Sequence, residues 1–179
     1  MAQAAGWGSY GITTWELFNE PNLAGYGWLN YGSNAMMVVN NYAKVISLAD
    51  DAVHRAAPGA KTLLGGLSSE GRPDLFLTAL YAAGAKSSFD VMAFHPYGWD
   101  NRFGQLATSI DQFMGQYGDA AKPIWYDEYG TTDQSKQISM LQSAWAQRNT
   151  VDALFWFSLK DINATDQRYG LVDSSLKTL

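Results

Sequence analysis

Cysteine is absent from the 179 residues, which excludes disulfides and thiolate chemistry and leaves the redox compartment open. Clustered cations are missing as well. With 12 Lys and Arg against 17 Asp and Glu, and no basic patch, nothing in the chain is suited to neutralising nucleic-acid phosphates. No stretch approaches the roughly 20 apolar residues that a membrane crossing needs, so neither nucleic acid nor a membrane is an expected partner. The opening Met1-Ala2-Gln3-Ala4-Ala5-Gly6-Trp7 lacks a basic segment followed by an apolar run. It does not read as a signal peptide, and localisation stays open between cytoplasmic and mature secreted. Histidine is scarce: His54 falls in a helical stretch and His95 after an apolar run, without ligand spacing, so no metal or other cofactor is expected. Gly65-Gly66 runs into Leu67-Ser68-Ser69 and not into the Gly-Lys-Ser/Thr ending of a phosphate loop. Ser68 and Ser158 have no evident His–Asp relay, and nothing beside Lys160 argues for a Schiff base.

What remains is a chain with 47% hydrophobic residues and no low-complexity tract, long enough to bury a core as one domain over residues 1–179. Short apolar runs at 12–19, 62–67, 91–95, 124–128 and 153–158 alternate with segments of helical period. The runs are continuous, as for strands covered on both faces, and the alternation is that of βα units around a parallel sheet. The first helix carries Val38, Tyr42, Val45, Ile46, Ala49, Ala52, Val53 and Ala56, and Pro58-Gly59 stops it. A second starts near Pro73-Asp74 with Leu75, Phe76, Ala79 and Leu80 on one face; a third carries Ile110, Phe113, Met114 and Tyr117; a fourth carries Ile138, Leu141 and Trp145. An Asp stands just before two of the runs, Asp90 and Asp152, a hint of repeated units that turn chemistry explains equally well. Five strands do not close an eight-stranded barrel of about 250 residues, so the pattern fits either an open doubly wound sheet or part of a barrel.

Two glutamates stand where apolar runs end. Glu20 lies in Asn19-Glu20-Pro21-Asn22, where Pro21 stops the strand and makes Glu20 its last residue. Glu128 closes Ile124-Trp125-Tyr126-Asp127-Glu128, and alternation sets Tyr126 and Glu128 on one face, with Asp127 turned to the helix layer and needing a partner there. Two carboxyl groups facing each other across a sugar are the working parts of glycoside hydrolysis. His95 and Tyr97 are two residues apart and reach the same side, the phenol towards a carboxylate and the imidazole towards a sugar hydroxyl. Trp156 ends the last run, and Tyr26, Trp28, Tyr31 and Trp99 lie in loops after strands, where aromatic faces suit a pyranose.

These residues together resemble the C-terminal part of clan A glycoside hydrolases, similar to families 5 and 39. The resemblance rests on Trp15-Glu16-Leu17-Phe18-Asn19-Glu20-Pro21-Asn22, His95-Pro96-Tyr97, Glu128-Tyr129-Gly130, Trp156 and the closing Tyr169-Gly170-Leu171-Val172-Asp173, and covers nearly the whole chain. It implies an α/β fold, a partial (β/α)8 barrel of about five parallel strands lacking the first three βα units. Runs 12–19 and 153–158 then correspond to strands four and eight.

The implied activity is a retaining β-glycosidase acting on a β-glucoside or related oligosaccharide by double displacement, with Glu128 as nucleophile, Glu20 as acid/base and a carboxyl separation of about 5–5.5 Å. Asn19 would bind the 2-hydroxyl, Tyr97 would orient Glu128 and Trp156 would floor the sugar. The alternatives are a carbohydrate-binding remnant with little turnover, or an unrelated α/β protein with structural carboxylates. An incomplete barrel leaves runs 12–19 and 153–158 as open edges, so a homo-oligomer covering them is expected.

Overall fold

The computed structural model describes residues 8–23, 35–162 and 168–173. Two compact units divide the chain: Met1–Phe94 with Ala121–Pro123, and His95–Ala120 with Ile124–Leu179.

In the first unit, β1 (Thr14–Leu17) pairs in parallel with β2 (Lys61–Leu64), Trp15 opposite Thr62 and Leu17 opposite Leu64. Strand β3 (Leu67–Ser68) neighbours β4 (Met92–His95), whose last residue opens the second unit. A parallel bridge between Leu63 and Val91 joins the two pairs. The run expected over 62–67 is therefore two short strands broken at Gly65-Gly66. Space explains the break, because a Cβ on Gly65 would run into the carbonyl oxygens of Leu17 and Phe18. Helix α1 (Ala35–Ala56) buries Val38, Tyr42, Ile46, Ala52 and Val53, the face that its spacing predicts. Helix α2 (Pro73–Ala82) buries Phe76, Leu77, Leu80 and Tyr81 and leaves Leu75 exposed, one position off the expected face.

In the second unit, β5 (Ile124–Tyr129) and β6 (Ala153–Trp156) are parallel. Trp125 sits opposite Ala153 and Tyr126 opposite Leu154, and the register then shifts before Tyr129 meets Trp156. Helix α3 (Phe103–Gln116) buries Phe103, Leu106, Ala107, Ile110 and Met114. Helix α4 (Gln137–Trp145) departs from expectation: Gln137, Met140 and Ala144 point inward, while Ile138 and Trp145 are exposed. The inward position at its start is taken by a polar anchor, the Gln137 amide donating to Gly170 O at 2.8 Å, which a search for apolar spacing does not register. Among the described residues no helix is long and apolar enough to cross a membrane.

The two aspartates that precede strands do the same thing in each unit. Asp90 Oδ2 accepts the Thr62 N–H at 2.8 Å, and Asp152 Oδ2 accepts the Ile124 N–H at 2.9 Å. Backbone bonds run the other way, Asp90 N–H to Thr62 O at 2.9 Å and Asp152 N–H to Ile124 O at 2.7 Å. Each aspartate thus fixes the register of its strand against the start of the preceding one. In the first unit the clamp extends into α1: His54 bridges Asp90 (3.2 Å) and Asp50 (3.3 Å), and Asp50 accepts the Thr62 hydroxyl.

Tyr126 has no exposed surface and donates its hydroxyl to Phe103 O at 2.9 Å, which ties β5 to the start of α3. Burial raises the phenol above its ordinary value of 10.0. A raised acid of this kind contributes stability that is complete below pH 10.0 and is lost as the pH climbs towards the folded-state value. Tyr126→Phe should therefore lower stability at neutral pH by about 1 kcal/mol and flatten its decline above pH ~10, as read by denaturant unfolding across pH.

Candidate active site

Strand β1 ends at Leu17, and the chain turns out of the sheet through left-handed backbone at Phe18 (φ 74°) and Glu20 (φ 43°). Glu20 is thus a turn residue three positions beyond the strand, not its last residue. Left-handed conformations at non-glycine residues are strained and persist only where their surroundings hold them. Here the turn is pinned on every side. The Tyr42 hydroxyl donates to Leu17 O at 3.0 Å and accepts the Gly65 N–H at 3.1 Å. Glu16 Oε1 accepts the Gly66 N–H at 2.9 Å, while the Glu20 N–H donates to Gly66 O at 3.1 Å. Asn22 is buried and uses its amide as a strand would, donating to Ser68 O at 2.7 Å and accepting the Ser68 N–H at 2.9 Å. Glu20 itself is buried, only 7% exposed, and Asn19 beside it in sequence is exposed.

The second unit holds the other carboxylate. Glu128 Oε2 accepts the Tyr97 hydroxyl at 3.0 Å, and His95 Nδ1 lies 3.7 Å from the same oxygen. Asp127 Oδ1 lies 3.6 Å from His95 Nε2. The Glu128 side chain is about a third exposed, and Tyr97 is half-buried beside it. Tyr97 is held edge-on by three rings, those of His95 (6.3 Å), Phe157 (6.5 Å) and Tyr169 (5.7 Å between centroids).

The register shift in β5 corrects the face assignment made from alternation. Tyr126 points to α3, away from the Glu128 group, and Asp127 finds its partner in His95 and not in the helix layer. A strand irregularity of this kind adds a residue on one side and re-aims the side chains beyond it. His95 has no exposed surface; expected to meet a sugar hydroxyl, it lies instead between two carboxylates. The Trp156 indole N–H donates to Tyr169 O at 2.7 Å and its ring packs on Tyr129 at 5.3 Å. The aromatic residue of β6's end that shares a contact with Tyr97 is its neighbour Phe157, joined to Ser158 by a cis peptide bond. Trp99 is half-buried with the Arg102 guanidinium 4.4 Å above its ring, and Trp28, with Tyr26 and Tyr31, lies outside the described residues.

Sequence reading did not set Phe157 or Tyr169 beside Tyr97. Phe157 stood next to the more conspicuous Trp156. The part of Tyr169 depends on a return of the chain that no local pattern announces. Asp50, His54 and Asp90 present donor atoms within 4.8 Å of one another, a set able to hold a metal ion; their bonds to each other and to Thr62 account for the cluster without one.

A family model described as the glycosyl hydrolase catalytic core matches residues 7–178, and the chain belongs to that family. Solved structures agree on the fold. A fungal β-1,4-galactanase superposes with a TM-score of 0.69 at 15% identity, over 98% of this chain and 62% of that one. An α-L-arabinofuranosidase from Thermotoga maritima gives 0.67 at 12% identity, over 92% and 36%. A β-xylosidase from Caulobacter crescentus gives 0.66 at 14%, over 90% and 38%. The chain therefore spans between about a third and two thirds of the length of these enzymes, and its fold is α/β with parallel strands, a partial barrel. The resemblance to glycoside hydrolases holds. No curated protein sequence matches the chain.

The turn carrying Glu20 depends on Asn22, whose loss leaves both Ser68 backbone groups without their side-chain partner. Asn22→Ala should destabilise the protein by about 2–4 kcal/mol in urea unfolding.

Proposed function

We propose that this chain is a retaining β-glycosidase acting by double displacement on a β-glucoside or related β-linked oligosaccharide. The observation that carries the reading is the Glu128 carboxylate, partly open and held through Oε2 by the Tyr97 hydroxyl at 3.0 Å, within a chain of the glycosyl hydrolase catalytic core. In the first step a Glu128 oxygen attacks the anomeric carbon and the glycosidic C–O bond breaks. Glu20 delivers its proton to the leaving oxygen. In the second step water attacks the same carbon and gives a proton to Glu20, and the C–O bond to Glu128 breaks, returning the carboxylate.

The remaining roles rest on chemistry. Tyr97 fixes the plane of the nucleophile, since a charge-assisted hydrogen bond to one oxygen restrains rotation of the whole carboxylate. Asn19, exposed beside Glu20 in sequence, binds the 2-hydroxyl. Phe157, which shares the Tyr97 contact, offers the apolar surface under the sugar more directly than Trp156, whose indole N–H is committed to Tyr169. Trp99 lends a half-open aromatic face to a more distant sugar unit.

The test is hydrolysis of aryl β-glycosides with the anomeric configuration of the product read by NMR. The expected result is retention, and a fall of several orders of magnitude in kcat/KM for Glu128→Ala. Tyr97→Phe should retain the site and lose about tenfold or more in kcat. Equal rates for the parent and Glu128→Ala refute the catalytic reading; sugar binding without turnover would then identify a carbohydrate-binding protein.

We also propose self-association. Among the described residues β1 has one hydrogen-bonded strand neighbour in the first unit and β6 has one in the second, and Phe155, Leu159 and Ile162 on or after β6 are exposed. Open strand edges flanked by apolar side chains favour pairing with a second copy. Light scattering should give a mass at least twice that of the 19.7 kDa chain, and a stable monomer overturns this.

A further inference from the structure

We propose that Asp127 is a positioning residue for the nucleophile: it holds His95 so that the ring's Nδ1 edge stays turned to the Glu128 carboxylate. The inference rests on the reading of Glu128 as nucleophile and goes beyond it, since Asp127 touches neither sugar nor reacting atom.

The geometry is a line of three groups. Asp127 Oδ1 lies 3.6 Å from His95 Nε2, and His95 Nδ1 lies 3.7 Å from Glu128 Oε2. The His95 side chain is wholly buried, that of Asp127 is 8% exposed and that of Glu128 is 31% exposed. A neutral imidazole has one N–H and one lone pair, so it can face only one of two carboxylates favourably; an imidazolium has an N–H for each. A carboxylate as buried as Asp127 is costly unless a cation faces it. The arrangement therefore fits a cationic ring held between two anions. Tyr97, the other group on Glu128 Oε2, closes the side of the ring edge-on, with the two planes at 85°.

The reaction shows why the outer carboxylate matters. When Glu128 becomes a glycosyl ester its negative charge is gone, and with it the attraction that holds the Nδ1 side of the ring. Asp127 keeps its charge through both steps. It is the fixed end of the line, and His95 waits in register for the carboxylate to return. Without Asp127 the ring loses the carboxylate on its Nε2 side, and with it a restraint that keeps Nδ1 turned to Glu128. Small misplacements of a reacting group are costly: about 1 Å is worth roughly a hundredfold in rate.

The experiment pairs kinetics with nitrogen NMR on the full chain. With only two histidines, His54→Gln assigns the ring signals of His95. In the parent at neutral pH both His95 ring nitrogens should resonate as protonated imidazolium. In Asp127→Asn, which keeps the side-chain shape, they should split into the donor and acceptor pair of a neutral ring. On an aryl β-glycoside the same variant should lose about tenfold to a hundredfold in kcat with KM changed by less than about twofold. A merely structural aspartate would lower the unfolding midpoint and leave kcat intact.

Three results overturn the proposal: a neutral His95 ring in the parent, an unchanged ring spectrum in the variant, or parental kcat in a folded Asp127→Asn protein. The first is read without any variant and decides even if the substitution prevents folding. Failure of the glycosidase reading looks different. It appears as parent turnover that Glu128→Ala does not diminish, whatever Asp127 does.

Discussion

The register shift inside β5 is the constraint on which the setting of Glu128 depends. Upstream of it Tyr126 is committed to α3 through its bond to Phe103 O, a fully buried hydrogen bond that fixes the strand against the helix layer. Downstream, Tyr129 packs on both Phe103 and Trp156. With regular alternation between those anchors, Asp127 and Glu128 would fall on opposite faces and only one of them could reach His95. The irregularity lets adjacent residues serve the two nitrogens of a single ring. That is a high-stakes arrangement, since partly satisfied buried polar groups cost more than an apolar core.

The turn bearing Glu20 is built on the opposite principle. Its strain is local, in the left-handed backbone of Phe18 and Glu20, and the compensation comes from neighbours that are ordinary secondary structure. Tyr42 reaches in from α1, Gly65-Gly66 between β2 and β3 allows close approach, and Asn22 joins the turn to β3. Their work is to hold a carboxyl group on a backbone that would not keep that shape by itself.

Much of this was legible in the residues, and the failures have physical causes. The parallel strands are visible because each lies within or beside a short apolar run, and α1 because its buried face repeats over 22 residues. Helix α4 misled because its inward start is Gln137, a polar anchor, and because Trp145 lies outside under the Arg148 guanidinium. The end of β1 was placed too late, since Pro21 marks where a strand cannot continue, whereas the left-handed turn had already begun at Phe18. Strand ends and short motifs single out Glu20, Glu128, His95 and Tyr97 as candidates. The link from Tyr97 to Glu128 is in the structure as expected, at 3.0 Å. The link from Asp127 to His95 was not foreseen, because period-two reasoning breaks wherever a ladder slips.

The aspartate clamps at Asp90 and Asp152 bear on how such a chain diversifies. Both sit at strand entries, while the turn after β1 and the carboxylate at the end of β5 lie at strand exits. In β5 the entry is thus locked by Asp152 while the Glu128 carboxylate stands near the exit. Loops at the exits can lengthen, shorten or exchange residues without letting the ladder creep, so the scaffold tolerates drift there and resists it at the clamped entries.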